Sequence, residues 1–321
     1  QQVSSAASDV YKRQDFSPTC IGPEAEELKN NLKEGQTLLL ENLRFHKGEE
    51  TNNKDFSEGL TLGIDYFVND AFSCSHRRHS STVGVTNFLP SFMGTHLEKE
   101  IKALEGVLNN PNKPVAAIIG GSKVSTKIDV INFLLKKMDI IIIGGAMANT
   151  FVAAKGLDVG KSLFEKECID LAKELIEKSQ NNNCNLILPT DFIVSKNLKK
   201  NAEYTTANFD SLPHNMMALD IGPKSIELIN KNINNCKTIL WNGPLGAFET
   251  YPFDKGTNKV ASHVSSLTKQ KKILSVAGGG DTVSALNNAK VLNDFSYVST
   301  AGGAFLEWLE GKVLPGIEPI S

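Results

Sequence analysis

The sequence has 321 residues, 40% hydrophobic and 22% charged, a composition that is ordinary for a globular protein and a length that suits two domains. Its 34 Lys and Arg residues against 36 Asp and Glu give a formal net charge of -2, which argues against a general nucleic-acid binder because such proteins carry a net basic surface. We expect no membrane partner, since no apolar run approaches the roughly 18 residues of a membrane span.

Five cysteines are scattered along the chain without a CxxC pair: Cys20, Cys74, Cys168, Cys184 and Cys236. An odd number of unclustered cysteines predicts no disulfide framework. A reducing compartment fits this pattern best, so we expect a cytoplasmic protein. A secretory signal is not expected, since no basic segment precedes an apolar core near the N-terminus.

The first fourteen residues, QQVSSAASDVYKRQ, show no apolar periodicity. Their last six letters resemble the translated end of a transposase adapter used in sequencing libraries. A polar, disordered terminus is the alternative interpretation. We expect residues 1–14 to be a non-native leader and exclude them from the fold argument.

Short apolar runs alternate with turns and helical stretches along the rest of the chain. The predicted strands are Thr37–Leu40, Tyr66–Val68, Val115–Ile119, Ile140–Ile143, Leu186–Leu188, Thr238–Trp241, Ile273–Val276 and Tyr297–Ser299, with Met217–Leu219 a weaker candidate. Several are nearly continuous Ile, Val and Leu, as expected of strands buried on both faces of a parallel sheet. The alternation of strand and helix predicts an α/β fold.

An apolar stripe predicts a helix over Ser91–Leu108, because Met93, Leu97, Ile101, Leu104 and Leu108 are spaced by three or four residues. We predict two Rossmann-like parallel-sheet domains joined by this helix. The predicted segments are an N-terminal domain over 15–90, the interdomain helix over 91–110, a C-terminal domain over 111–303, and a segment over 304–321 that returns toward the N-terminal domain. Only two clear strands precede the helix, too few for a doubly wound sheet, so we expect the N-terminal domain to be incomplete.

Glycine pairs follow several strands of the larger predicted domain, at Gly120-Gly121, Gly144-Gly145, Gly278-Gly279-Gly280 and Gly302-Gly303. Ligands of open α/β sheets bind beyond the carboxyl ends of the strands. Glycine lets the backbone approach a ligand, and the helix that follows favours an anion. The repeated pattern predicts a phosphate or nucleotide site.

Lys123 and Lys127 lie in the stretch GGSKVSTK, and a helix starting here would present both on one face beside the glycines. Two ammonium groups suit a polyphosphate, although most lysine pairs are solvated surface residues. The stretch is not a Walker A loop, because GxxxxGK[ST] is absent. A GxGxxG fingerprint is also absent, which disfavours a dehydrogenase. Asp281 could be a helix N-cap or a ligand of Mg²⁺, and the three preceding glycines favour the metal.

A basic loop, Ser75–His79, has the sequence SHRRH. Zinc is rejected for Cys74, His76 and His79, because a structural site needs four ligands and no second cluster exists. We favour an anion site to which Arg44, from a separate strand end, also contributes. A solvated basic loop remains the alternative for Arg78, His76 and His79.

Nine motifs resemble those of the phosphoglycerate kinase family, in the same order, from about Phe16 to the end. They are LLLENLRFHKGEE (38–50), NDAFSCSHRRHSS (69–81), GGSKVSTK (120–127), GGAMANTF (144–151), LDVGKS (157–162), LDIGPKS (219–225), ILWNGPLGAFE (239–249), AGGGDT (277–282) and STAGGAFLEWLEGKVLPG (299–316).

The resemblance implies reversible phosphoryl transfer between ATP and 3-phosphoglycerate, by two α/β domains that close about a hinge. It also implies a cytoplasmic monomer that uses ATP or ADP with Mg²⁺. Catalytic roles would belong to Lys123, Lys127, Gly279 and Gly280, metal binding to Asp281, and phosphoglycerate binding to Arg44 and Arg77. Asn242 and Glu249 would lie on the ribose side of the nucleotide, and Gly144, Gly145 and Leu245 near the adenine. Thr282 would lie at the phosphates, and the remaining nucleotide contacts would come from Gly120, Gly121 and Gly278.

Two departures from the family pattern affect this expectation. Thr300-Ala301-Gly302 stands where the family usually has Thr-Gly-Gly. The family's opening strands, with their acidic-polar pair for the glycerate hydroxyl and a transition-state arginine, have no counterpart upstream of Asp15. We therefore expect a truncated chain that binds nucleotide but is catalytically impaired, since losing such an arginine costs on the order of 10³-fold in rate.

Overall fold

The computed structural model describes residues 14–320, which form two compact units. The N-terminal unit comprises the described residues up to Glu98 together with 313–320, and the C-terminal unit is Lys99–Lys312. The predicted leader over 1–14 lies outside the described residues, except for Gln14. Within the described range, no helix is both long and apolar enough to cross a membrane.

The N-terminal unit contains two small parallel sheets. Its strands are β1 (Gln14–Ser17), β2 (Thr37–Leu40), β3 (Phe67–Asn69) and β4 (Ser91–Met93), and its helices are α1 (Pro23–Asn30), α2 (Lys47–Glu50) and α3 (Lys54–Thr61). Strand β1 pairs with β2, and β3 pairs with β4. Sequence patterning indicated β2 and β3 but missed β1 and β4, because β1 (QDFS) contains a single apolar residue and Met93 of β4 also fits the apolar stripe of the helix that follows.

The helix that joins the units, α4, spans Thr95–Leu108. The prediction of a helix from Ser91 was wrong at its start, because Ser91–Met93 pairs with β3 instead. Asp70 fixes the first turn: its Oδ1 accepts hydrogen bonds from the backbone N–H groups of His96 at 2.6 Å and Leu97 at 3.0 Å. The apolar stripe is otherwise as predicted, with Leu97 and Leu104 fully buried.

The C-terminal unit is built on a six-stranded parallel sheet in the order β13-β12-β11-β5-β6-β7. A separate sheet, β10-β8-β9, is antiparallel. The predicted α/β class with mainly parallel sheets is confirmed; the antiparallel sheet was not foreseen. The strands are β5 (Val115–Ile119), β6 (Ile140–Ile143), β7 (Asn185–Ile187), β8 (Asp191–Ser195), β9 (Thr205–Asn208), β10 (Met217–Ile221), β11 (Thr238–Asn242), β12 (Leu274–Gly278) and β13 (Tyr297–Ser299).

Seven helices complete this unit: α5 (Ile128–Leu134), α6 (Met147–Ala154), α7 (Ile169–Asn181), α8 (Pro223–Ile233), α9 (Lys255–Lys269), α10 (Gly280–Asn288) and α11 (Gly302–Leu309). One face of the sheet, including Ile118 and Trp241, packs in a cluster with Ile229 of α8 and Val264 of α9. The alternate residues, such as Ile119, are also fully buried. Burial on both faces explains why these strands are continuous apolar runs in the sequence.

Candidate functional site

Four of the predicted glycine and polar loops follow strands that are neighbours in the large sheet. Strands β12, β11, β5 and β6 are adjacent and parallel, so their carboxyl ends lie at one edge. Hydrogen bonds link the loops directly: the Gly120 N–H donates to the Asn242 carbonyl at 2.9 Å, and the Gly144 N–H to the Ile119 carbonyl at 3.0 Å. The fold therefore assembles residues far apart in sequence into one loop cluster.

Glycine is required in this cluster largely because the loops touch each other. Gly145 has φ 69, and a Cβ there would overlap the backbone of Gly121; a Cβ at Gly120 would overlap the Pro244 carbonyl. The Gly145 N–H donates to the Leu245 carbonyl at 2.9 Å. The sequence argument attributed these glycines to close approach of a ligand, whereas the contacts at Gly120 and Gly145 are with protein backbone.

A cavity of about 360 Å³ opens beside the loop cluster. Five predicted site residues line it: Gly121, Gly145, Leu245, Glu249 and Asp281. Sequence reasoning missed the largely apolar wall, which includes Leu163, Phe192, Leu198, Met217 and Phe248. These side chains come from separate elements and carry no local signal. An apolar wall with polar groups at one side is typical of a site for a small molecule with a flat apolar part.

Half-buried Lys127 and buried Asn242 form the floor of the cluster. The Lys127 ammonium donates to Asn242 Oδ1, and Asn242 Nδ2 donates to the Gly278 carbonyl at 2.7 Å. Asn242 is only 2% exposed and does not line the cavity. Burial lowers the pKa of the Lys127 ammonium, against the opposing effect of the Asp281 and Glu310 carboxylates. Lys127 is thus a partly desolvated cation beside the loop that carries Asp281.

Lys123 lies in a loop, so the prediction of a helix shared with Lys127 was wrong. Helix α5 begins only at Ile128, after Lys127 as its N-cap. The loop is held by Ser125, whose N–H and hydroxyl both donate to the Glu165 carboxylate. The Thr126 hydroxyl donates to the Lys123 carbonyl at 3.0 Å. Such side-chain bonds compete with a helical path, and they leave Lys123 exposed.

Gly278–Thr282 ends β12 and starts α10. The Thr282 hydroxyl oxygen is buried and accepts a hydrogen bond from the Gly243 N–H at 2.7 Å, which joins this loop to the one after β11. Asp281 is exposed in the first turn of α10 and lines the cavity. A carboxylate facing solvent beside a helix N-terminus fits one protein ligand of Mg²⁺, whose remaining positions are filled by water and phosphate oxygens.

In the N-terminal unit, Arg44 and Arg77 are both exposed on loops that follow strands. Arg44 lies in a short 3-10 turn after β2, and the Asn42 side chain accepts from its backbone N–H. The loop of Arg77 is closed by the Thr82 hydroxyl, which donates to the Arg77 carbonyl at 2.8 Å. The Arg77 Nε–H donates to His76 Nε2 at 3.4 Å.

Comparison with known proteins identifies the family to which this fold belongs. A model of the phosphoglycerate kinase family matches residues 1–312. The chain belongs to the phosphoglycerate kinase family. The phosphoglycerate kinase of Rhizobium meliloti is 50% identical over 98% of this chain and 79% of its own length. That of Brucella melitensis is 52% identical over 94% of this chain and 76% of its own length.

Solved structures agree with the family assignment. Phosphoglycerate kinase from Coxiella burnetii superposes with a TM-score of 0.85 at 44% identity, covering 89% of this chain and 72% of that one. The enzyme from Pyrococcus horikoshii gives a TM-score of 0.79 at 29% identity, covering 95% of this chain and 78% of that one. The chain is therefore assigned to the glycolytic kinases that transfer a phosphoryl group between ATP and 3-phosphoglycerate.

Proposed function

We propose that this chain binds ATP or ADP with Mg²⁺ at the cavity of the C-terminal unit, and the phosphate of 3-phosphoglycerate at Arg44 and Arg77. The observation that carries the nucleotide assignment is the meeting of four strand-end loops beside one cavity. In this proposal the apolar wall, including Leu245, takes the adenine, and Glu249 lies on the ribose side. Asn242, buried beneath the loops, holds Lys127, and its contact on the ribose side stays a prediction.

The phosphate-binding part of the proposal rests on charge and backbone donors. Lys123 is exposed and has a long, flexible side chain that can turn toward the phosphates, while Lys127 is held by Asn242 near the start of α10. The backbone N–H groups of Gly279 and Gly280 precede or begin this nine-residue helix, where an anion is favoured. Mg²⁺ held by Asp281 would neutralise phosphate charge. Phosphoryl transfer depends on this kind of positioning and charge stabilisation.

We further propose that the 321-residue polypeptide binds nucleotide but turns over slowly. Support comes from the N-terminal unit, where strand side chains are exposed: Phe16 at 47%, Val68 at 56% and Phe92 at 52%. Two-stranded sheets are marginally stable alone, so the loops of Arg44 and Arg77 rest on a weak framework. We infer a monomer in the cytoplasm, a location supported by the five free cysteines.

Calorimetry with MgADP and a coupled kinase assay test these proposals. We expect MgADP binding by the unaltered chain, a loss of about tenfold in affinity for Lys127→Met, and no change for Lys136→Met, which removes an exposed lysine of the same unit. Equal affinities for the two variants would refute the nucleotide assignment. Turnover equal to that of the Rhizobium meliloti enzyme, measured side by side, would refute the impairment.

A further inference from the structure

Glu49 is a buried carboxylate that the proposed mechanism does not use. It lies in α2, five residues after Arg44, and is only 3% exposed. A buried carboxylate is costly unless charges or hydrogen bonds compensate it. Its side chain contacts Ser81, which follows the basic loop Ser75–His79, and His79 at the end of that loop.

The contacts of Glu49 reach residues that are 30 to 32 positions later in the sequence. Its Oε2 accepts from the Ser81 N–H at 3.0 Å, its Oε1 accepts from the Ser81 hydroxyl at 2.6 Å, and His79 Nδ1 lies 3.5 Å from Oε1. Its carbonyl accepts from the Ser80 N–H at 2.9 Å. The Ser80 hydroxyl donates to the neighbouring Gly48 carbonyl at 2.9 Å.

These bonds fix the end of the loop that carries Arg77. The Thr82 hydroxyl, next to Ser81, donates to the Arg77 carbonyl and accepts from the His79 N–H at 3.1 Å. The segment of Arg44 is joined to Glu49 from the other side, since the Glu49 N–H donates to the His46 carbonyl and the His46 N–H to the Leu43 carbonyl. Glu49 is thus the point at which the two arginine-bearing segments are tied together.

We propose that Glu49 is a positioning residue for phosphoglycerate binding: it clamps the basic loop Ser75–His79 to the Arg44 segment through Ser81 and His79. The inference rests on the proposed role of Arg44 and Arg77. A carboxylate fits this place because its two oxygens accept from both donors of Ser81. Losing the clamp lets the loop sample conformations in which Arg77 no longer presents its guanidinium with Arg44.

The test compares Glu49→Ala with Glu50→Ala, which removes the adjacent, exposed carboxylate of the same helix. For Glu49→Ala we expect the dissociation constant for 3-phosphoglycerate, measured by calorimetry, to rise by about tenfold or more, while that for MgADP stays unchanged. Glu50→Ala leaves both constants unchanged. Glu49→Gln restores much of the affinity, because its amide can accept from the Ser81 N–H and donate to the Ser81 hydroxyl.

A second readout follows the loop without any ligand. Trypsin cleaves after Arg77 and Arg78, and we expect Glu49→Ala to be cut there about tenfold faster than Glu50→Ala because the loop opens locally. Cys20, buried in the core of the same unit, stays protected from thiol reagents if the unit remains folded. If Glu49→Ala exposes Cys20, the unit has unfolded and this variant no longer tests the clamp. Cleavage after Arg77 and Arg78 and the affinity for 3-phosphoglycerate are then compared between Glu49→Gln, which keeps the bonds to Ser81, and Ser81→Ala, which removes the bond from the Ser81 hydroxyl.

The outcomes separate the two proposals. Unchanged phosphoglycerate affinity and cleavage in Glu49→Ala, with binding lost in Arg77→Ala, would overturn the clamp and leave the substrate site standing. Unchanged binding in Arg77→Ala, or no binding by the unaltered chain, would overturn the substrate site. In that case faster cleavage of Glu49→Ala still supports the clamp, and unchanged cleavage refutes it.

Discussion

Replacing Asn242 with Ala tests whether the floor of the nucleotide site is held by its two hydrogen bonds. The substitution leaves the buried Gly278 carbonyl without its donor, a loss of about 1–2 kcal/mol, and deprives the Lys127 ammonium of its acceptor, a charge-assisted bond of about 1.5–3 kcal/mol. Lys127 is only partly buried and regains some hydration, so we expect a total near 3 kcal/mol. That corresponds to a fall in melting temperature of roughly 6–12 °C for a unit of this size.

Urea unfolding followed by tryptophan fluorescence measures this loss. Both tryptophans, Trp241 and Trp308, lie in the C-terminal unit, so the signal reports that unit. Asn149→Ala is the matched control: Asn149 is 1% exposed and donates to the Leu163 carbonyl, while its Oδ1 has no hydrogen-bond partner among residues 14–320. We expect this control to cost about 1 kcal/mol.

A double-mutant cycle with Lys127→Met isolates the Lys127–Asn242 contact. We expect a coupling free energy of about 1–2 kcal/mol, because the pair is in direct contact. An Asn242→Ala loss no larger than that of Asn149→Ala would refute the assigned role of the floor. A coupling below about 0.5 kcal/mol would show that Lys127 does not depend on Asn242.

Two further predictions concern the rest of the fold. Asp70→Ala removes the acceptor for the His96 and Leu97 N–H groups at the start of α4, and thermal unfolding should show a loss of about 1–2 kcal/mol that Asp70→Asn largely avoids; equal losses in both would contradict capping. Burial raises the pKa of the Cys184 and Cys236 thiols from 9.0 to about 11. The stability that each protonated thiol contributes is therefore complete below pH 9. It is lost as the pH rises from 9 through 11, by about 2–3 kcal/mol per thiol. Urea unfolding at pH 8 and pH 10.5 should therefore show a smaller pH-dependent loss in Cys236→Ala than in the unaltered chain, and an identical loss would refute the assignment.

The sequence determined the elements whose signal is local. Continuous apolar runs predicted β5 (VAAII) and β6 (IIII) with their observed bounds, because strands buried on both faces need no polar alternation. Ordered motifs identified the family, and strand-end glycines predicted a ligand site at the loops, although Gly120 and Gly145 contact protein backbone there. Where local pattern was weak or misleading, prediction failed: β1, β4 and the antiparallel sheet were missed, and Lys123 was assigned to a helix.

Tertiary structure decided which side chains meet. The partners of Asn242, namely Lys127 and Gly278, are 115 and 36 positions away. The start of α4 depends on Asp70, 26 positions before His96, and Glu49 meets Ser81 across 32 positions. Helix and strand periodicity describe a residue's relation to near neighbours along one element. The sequence therefore named the candidate site residues, whereas only the packed fold showed how Lys127, Asp281 and Arg77 are held.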